Sequence, residues 1–131
     1  MAMTGVERIA IERTRQVEKE GYDAAHDDEH GSGDLAVAAA CYAAASCGLR
    51  IYEKQEFAAG MSFVDPWPWE GYDARPYDHH GGGFKDPDDD QALRLLEKAG
   101  ALIAAEIDRV LRARERKIER IRGRRRSRSR A

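Results

Sequence analysis

The chain has 131 residues, room for one domain with a modest core. Apolar residues make up 42% and charged residues 35%, and no apolar run reaches the roughly 18 residues of a membrane span, which excludes a membrane-spanning class and points to a soluble domain with a very polar surface. The net charge of −2 hides a division: residues 109–131 hold 12 Lys/Arg against 2 Asp/Glu, leaving 10 basic and 22 acidic residues elsewhere, so an acidic body carries a basic tail. Clustered carboxylates of that kind suit divalent cations better than direct phosphate contact, and the tail suits a polyanion.

The opening MAMTGVERIAIER places charges where a signal peptide needs an apolar core, so a cytoplasmic protein is expected. Residues 4–20 read as a first helix. Thr4 is its N-cap, Glu7 completes a capping box, and Gly21 is a natural stop. Val6, Ile9, Ala10 and Val17 recur at helical spacing as its apolar face, with Arg8, Glu12 and Lys19 on the exposed side. Residues 22–33 read as a loop. It carries the densest polar cluster of the chain, His26-Asp27-Asp28-Glu29-His30.

Asp34 then caps a second helix running to about Glu56. LAVAAACYAAASC is apolar all round, which marks a central helix rather than a surface one. Cys41 and Cys47 stand six apart on it, pointing in different directions, so they read as small hydrophobes and not as a disulfide. Residues 61–87 gather both Trp and all four Pro into a long ordered aromatic and Gly-rich loop with a flexible GGG section. GGGFKD lacks the Gly-Lys-Ser/Thr ending of a phosphate loop.

A third helix starts near Asp88, with acids in its first turn. Leu93, Leu96, Gly100, Ile103, Ile107 and Val110 form a three-and-four seam, either facing the core or joining two copies. The expected fold is thus an all-α bundle of three principal helices, completed by oligomerisation: one helical domain over 1–122 and a disordered basic tail over 123–131.

Two carboxylates fall on the wrong side of their helices. Glu20 lies between Ile9 and Val6, with Gln16 at the margin and Arg13 on the same side; Glu106 lies among Leu95, Ala99 and Leu102. A carboxylate is costly to bury unless it is paired or bound to metal. These two and the acidic loop either converge on one cation or find basic partners: Arg13 for Glu20, Arg109 for Glu106, water for the loop. His26 and His30 do not form a HExxH motif, and oxygen ligands favour Mg²⁺ or Mn²⁺ over zinc.

The stretch IAIERTRQVEKEGYDAAHDDEHGSGDLAVAAACYA resembles the opening of a small family common in bacteriophages and prophages. Trp67-Pro68-Trp69, Phe84-Lys85 and the run Ala99–Ile107 follow in the family's order, so the likeness runs from residue 12 to residue 107. Members are commonly described as dATP/dGTP diphosphohydrolases, related to the all-α MazG-like nucleoside triphosphate pyrophosphohydrolases. The resemblance implies Mg²⁺ held by helix-borne carboxylates, cleavage between the α and β phosphates, and an oligomer. The usual E-E-x-x-E signature would fall on the second helix, where this chain has LAVAAACYAAA and no carboxylate. Metal ligands must then come from Glu12, Glu20, Asp27, Asp28, His30 or Glu106, with Glu20, Asp27 and Glu106 the expected Mg²⁺ ligands and Asp28 or His30 the general base. Arg15, Lys85 and Lys98 would meet phosphates, Gln16 or Trp67 the base, and His26 the substrate. Two further readings stand beside hydrolysis. One is a protein that sequesters a nucleotide, such as an immune signalling nucleotide, without turnover. The other is weak, salt-dependent nucleic-acid contact by RGRRRSRSRA.

Overall fold

The computed structural model describes residues 2–78 and 83–130. The chain is predominantly helical, in the order α1 (Gly5–Glu20), α2 (Ala24–Asp28), α3 (Asp34–Ala45), β1 (Glu53–Phe57), β2 (Gly60–Val64), β3 (Tyr77–Asp78), β4 (Gly83–Phe84) and α4 (Asp89–Ser129). No helix among the described residues is long and apolar enough to cross a membrane. Two of the three glycines of the expected flexible section lie outside the described residues.

The first helix forms as its ends dictate. The Thr4 side chain accepts from the Glu7 N–H, and Gly21 turns left-handed at φ 73°. Its buried face is not the apolar one. Val6 and Val17 are exposed, and Glu12 and Gln16 are buried against α4. Arg94 and Lys98 of α4 stand opposite and make a polar interior the better partner. Ile9 still packs, because α4 offers Gly100: a Cβ there would come within 2.5 Å of the Ile9 Cδ1. Gly100→Val is therefore expected to push α1 off α4 and cost about 2 kcal/mol by overpacking. Urea denaturation followed by circular dichroism measures it.

The loop expected over 22–33 contains a one-and-a-half-turn helix, α2, because Asp23 caps it by accepting from the His26 N–H at 2.9 Å. α3 begins at Asp34 with Gly33 as its N-cap, so Asp34 is the first helical residue and not the cap. It is the central helix: Leu35, Ala38, Ala39, Tyr42 and Ala45 pack with Leu95, Ala99, Leu102 and Ala105 of α4 into one cluster. Helix α3 ends at Ala45, not near Glu56. Gly48 is left-handed at φ 76°, and the Leu49 N–H closes back on the Ala44 carbonyl at 3.0 Å. The Lys-Gln-Glu stretch that reads as helix pairs instead as an antiparallel hairpin, Lys54 with Phe63 and Glu56 with Met61, turning at Ala58-Ala59. Cys41 is buried and Cys47 exposed, both free thiols.

The aromatic segment is tied to this core. The Tyr42 ring packs on Trp67 at 4.8 Å, and its hydroxyl accepts from the Ala74 N–H at 3.2 Å. Arg75 is buried, bonded to Asp65 at 2.8 Å and Asp73 at 2.6 Å, with its guanidinium 4.9 Å from the Trp67 ring centre. α4 opens with the Asp88–Gln91 capping box and runs 41 residues, about 60 Å. It does not end near Gly123, where a disordered tail was expected. Arg, Lys and Glu are good helix formers, and one glycine costs only about 1 kcal/mol. The seam Leu93, Leu96, Ile103, Ile107 and Val110 does not face the core; all five are about half exposed. The buried stripe of α4 is Leu95, Lys98, Ala99, Ala101, Leu102 and Ala105.

Candidate functional site

The end of α1, the turn after it, α3, the Trp69–Tyr72 segment and α4 converge on one narrow cleft. Gln16, Glu20, Tyr22, Tyr42, Trp69, Tyr72, Lys98 and Leu102 line it. Its walls are aromatic. Tyr22 stacks on His26 at 4.4 Å, His26 meets His30 at 4.7 Å, and His30 stands edge-on to Trp69 at 5.6 Å. Trp69 is edge-on to Trp67, also at 5.6 Å. Lys98 is buried, with Nζ donating to the Tyr72 hydroxyl at 3.1 Å and 3.8 Å from Glu12.

Among the described residues, two buried side-chain polar atoms have no partner, and both belong to residues of this cleft: the Gln16 Oε1 acceptor and the Trp69 Nε1–H donor. A buried group left unpaired costs about 1–3 kcal/mol, so such atoms call for an explanation. Open space in the cleft is about 10 Å³, room for about one water. A heteroaromatic ring needs more room than this, so its entry requires the walls to part.

A cationic and acidic cluster borders the cleft. Glu12, 2% exposed, accepts from Arg15 at 2.7 Å, is bonded by Arg94, and has Lys98 nearby. Burial raises its pKa, but the hydrogen bonds from Arg15 and Arg94 outweigh burial and hold it at about 2. Glu20 bonds the same Arg15 Nη2 at 2.6 Å. The two carboxylates therefore meet at one guanidinium nitrogen.

The other expected site residues lie elsewhere. Asp27 is fully buried against Arg13 at 2.9 Å and His26 at 3.1 Å. Arg13 thus serves Asp27 and not Glu20. Asp28 is held by Arg112 at 2.9 Å and Arg116 at 3.1 Å, and the Arg112 hydrogen bond leads in lowering its pKa. His30 pairs with Asp34 at 3.2 Å. Glu106 is bonded by Arg109. It borders a separate groove over Ala36, Ala40 and Ala43. Lys85 lies outside the cleft, its backbone N–H on the Pro76 carbonyl at 3.2 Å. Trp67 is engaged too, its indole N–H donating to the Tyr72 carbonyl at 3.0 Å.

The expected convergence of Glu20, Asp27 and Glu106 on one cation is thus not formed. Among the described residues no group of three or more His, Cys, Asp or Glu side chains is placed to hold a metal ion. Each carboxylate finds Arg because arginine's rigid fork matches it from whichever helix lies nearest.

Comparison with protein-family models, with curated proteins and with solved structures returns no match. The likeness to the phage and prophage family is therefore carried by the motifs of residues 12–107 alone. Of those motifs, Gln16, Glu20 and Tyr22 line the cleft, and His26 and His30 pack behind it on Tyr22 and Trp69. Trp69, Tyr22, Tyr42 and Tyr72 were not read as site residues from the sequence. The aromatic density of WPWEGY is the signal that could have marked the first and the last of the segment.

Proposed function

We propose that this chain binds a nucleoside phosphate, the base in the aromatic cleft and the phosphates on the cations beside it. The carrying observation is the pair of unpartnered groups, the Gln16 acceptor and the Trp69 donor, set among aromatic rings in one cleft. A heteroaromatic base supplies what that arrangement lacks: a flat face for stacking and an edge with both a donor and an acceptor. Arg15 and Lys98 would meet the phosphates, Arg15 by turning from its two carboxylates. Binding without turnover is favoured because every candidate catalytic carboxylate is already in an ion pair. The working unit of this proposal is an oligomer of the chain in a cytoplasmic setting.

Mg²⁺-dependent pyrophosphohydrolysis of a purine dNTP is the second reading. The meeting of Glu12 and Glu20 at Arg15 favours it, since departure of Arg15 would leave two carboxylates side by side. Calorimetry with each dNTP and NTP in EDTA, then product separation after incubation with Mg²⁺, distinguishes the two. Stoichiometric binding in EDTA with no product is expected. Monophosphate and pyrophosphate appearing only with Mg²⁺ would establish hydrolysis, and neither binding nor product would sink both.

A further inference from the structure

α4 carries a stripe of mostly apolar positions in a symmetrical order. Positions 93, 96, 100, 103, 107, 111, 114, 118 and 121 step by 3, 4, 3, 4, then 4, 3, 4, 3, so the stripe reads the same in both directions from Ile107. Gly100, packed under Ile9 of α1, and Arg114 interrupt it; its other members are Leu or Ile, and the half-exposed Val110 lies beside it. Leu93, Leu96, Ile103, Ile107, Leu111 and Ile121 are each 42–54% exposed. Beside Ile103 and Ile107 runs the groove floored by Ala36, Ala40 and Ala43, whose small side chains leave room for another helix.

The charges around this stripe are ordered too, with opposite signs at its two ends. Asp88, Asp89 and Asp90 stand 19, 18 and 17 residues before Ile107, and Arg124, Arg125 and Arg126 stand 17, 18 and 19 residues after it. Two parallel copies would set the basic ends side by side, where like charges repel. Two antiparallel copies crossing at Ile107 would set each basic end against the other's acidic start. The same register places Leu93 against the second copy's Ile121, Leu96 against its Ile118, and Ile103 against its Leu111.

We propose that α4 pairs antiparallel with α4 of a second copy of this chain, on a two-fold axis at Ile107. The contact is isologous, so it closes at two copies. It covers the exposed stripe and gives the last turns of α4, which extend past the body as a strongly basic helix, an acidic partner. Heptad-like spacing on both sides of the axis is what helix pairing requires.

Sedimentation of the full chain and cysteine cross-linking in a Cys47→Ser background test this. The wild type is expected to be a dimer, and Ile107→Glu to weaken it about 100-fold by setting two carboxylates face to face. Ile107→Cys is expected to give a disulfide-linked dimer on mild oxidation. Leu96→Cys should give none, because its own counterpart lies about 33 Å away along the helix. Circular dichroism of each variant confirms that the helices persist, as half-exposed positions should allow. A monomeric wild type at about 100 μM would overturn the proposal without reference to any variant. Equal cross-linking at Leu96 and Ile107 would overturn the antiparallel register.

Discussion

Glu12→Gln is expected to cost about 3 kcal/mol of folding stability at pH 7. The carboxylate is buried and held at about 2 by Arg15 and Arg94 against the opposing effect of burial, whereas its ordinary value is 4.5. A depressed native pKa of that size corresponds to about 3 kcal/mol of linkage. The stabilisation is complete above pH 4.5, where the unfolded carboxylate is also ionised, and is lost as pH falls toward 2. Glutamine removes the charge at every pH and leaves Arg15, Arg94 and Lys98 crowded without their counter-ion. Urea denaturation of wild type and variant from pH 7 to pH 2 should show a gap that closes over the acid limb. A gap of constant size would mean that Glu12 acts by packing alone.

Gln16→Met is expected to do the opposite to stability and to weaken the proposed nucleotide binding. The Gln16 amide oxygen is buried at 2% exposure with no partner among the described residues. A thioether of similar length removes the unpaired acceptor and should stabilise the fold by about 1 kcal/mol. If the acceptor is kept for a base, nucleotide affinity should fall by about tenfold or more, the value of one lost hydrogen bond in a desolvated site. Trp69→Phe deletes the unpaired N–H but also leaves a cavity where the second ring of the indole packs on the core, so it should lower nucleotide affinity without the gain in stability. Thermal melts and calorimetry on the two variants read both quantities. Unchanged nucleotide affinity in both variants would remove Gln16 and Trp69 from the site.

These predictions follow from a polar interior that helix periodicity does not reveal. On a wheel Glu12 falls with Arg8 and Lys19, and nothing in α1 itself says that this side turns inward. It does so because Arg94 and Lys98, contributed from the far half of the chain, meet it there. Glu20 and Glu106 were read as outliers in search of a cation, yet each found a guanidinium close at hand, Arg15 and Arg109. A carboxylate's need for a partner is legible in a sequence. Which partner satisfies it is decided by distances that only packing sets.

What the sequence determined by itself is local. Thr4 and Gly21 bound the first helix, the Asp88–Gln91 box opens the last, and LAVAAACYAAA makes a helix that must be central. Each of these depends on hydrogen bonds and side-chain sizes within a few residues. Tertiary structure decided the rest. It paired residues 53–64 as a hairpin, where their helix propensity alone favours another helix beyond the Gly48 turn that ends α3. It turned the Leu/Ile seam of α4 outward: the side of α4 that carries Leu95, Ala99, Leu102 and Ala105 packs on the small residues of α3, and its alanines let the two helices approach closely. It also gathered Gln16, Tyr22, Trp69 and Lys98, scattered along the chain, into one cleft with two polar groups unpaired. Periodicity names the residues able to be buried; the competition among surfaces for the closest packing chooses which of them are.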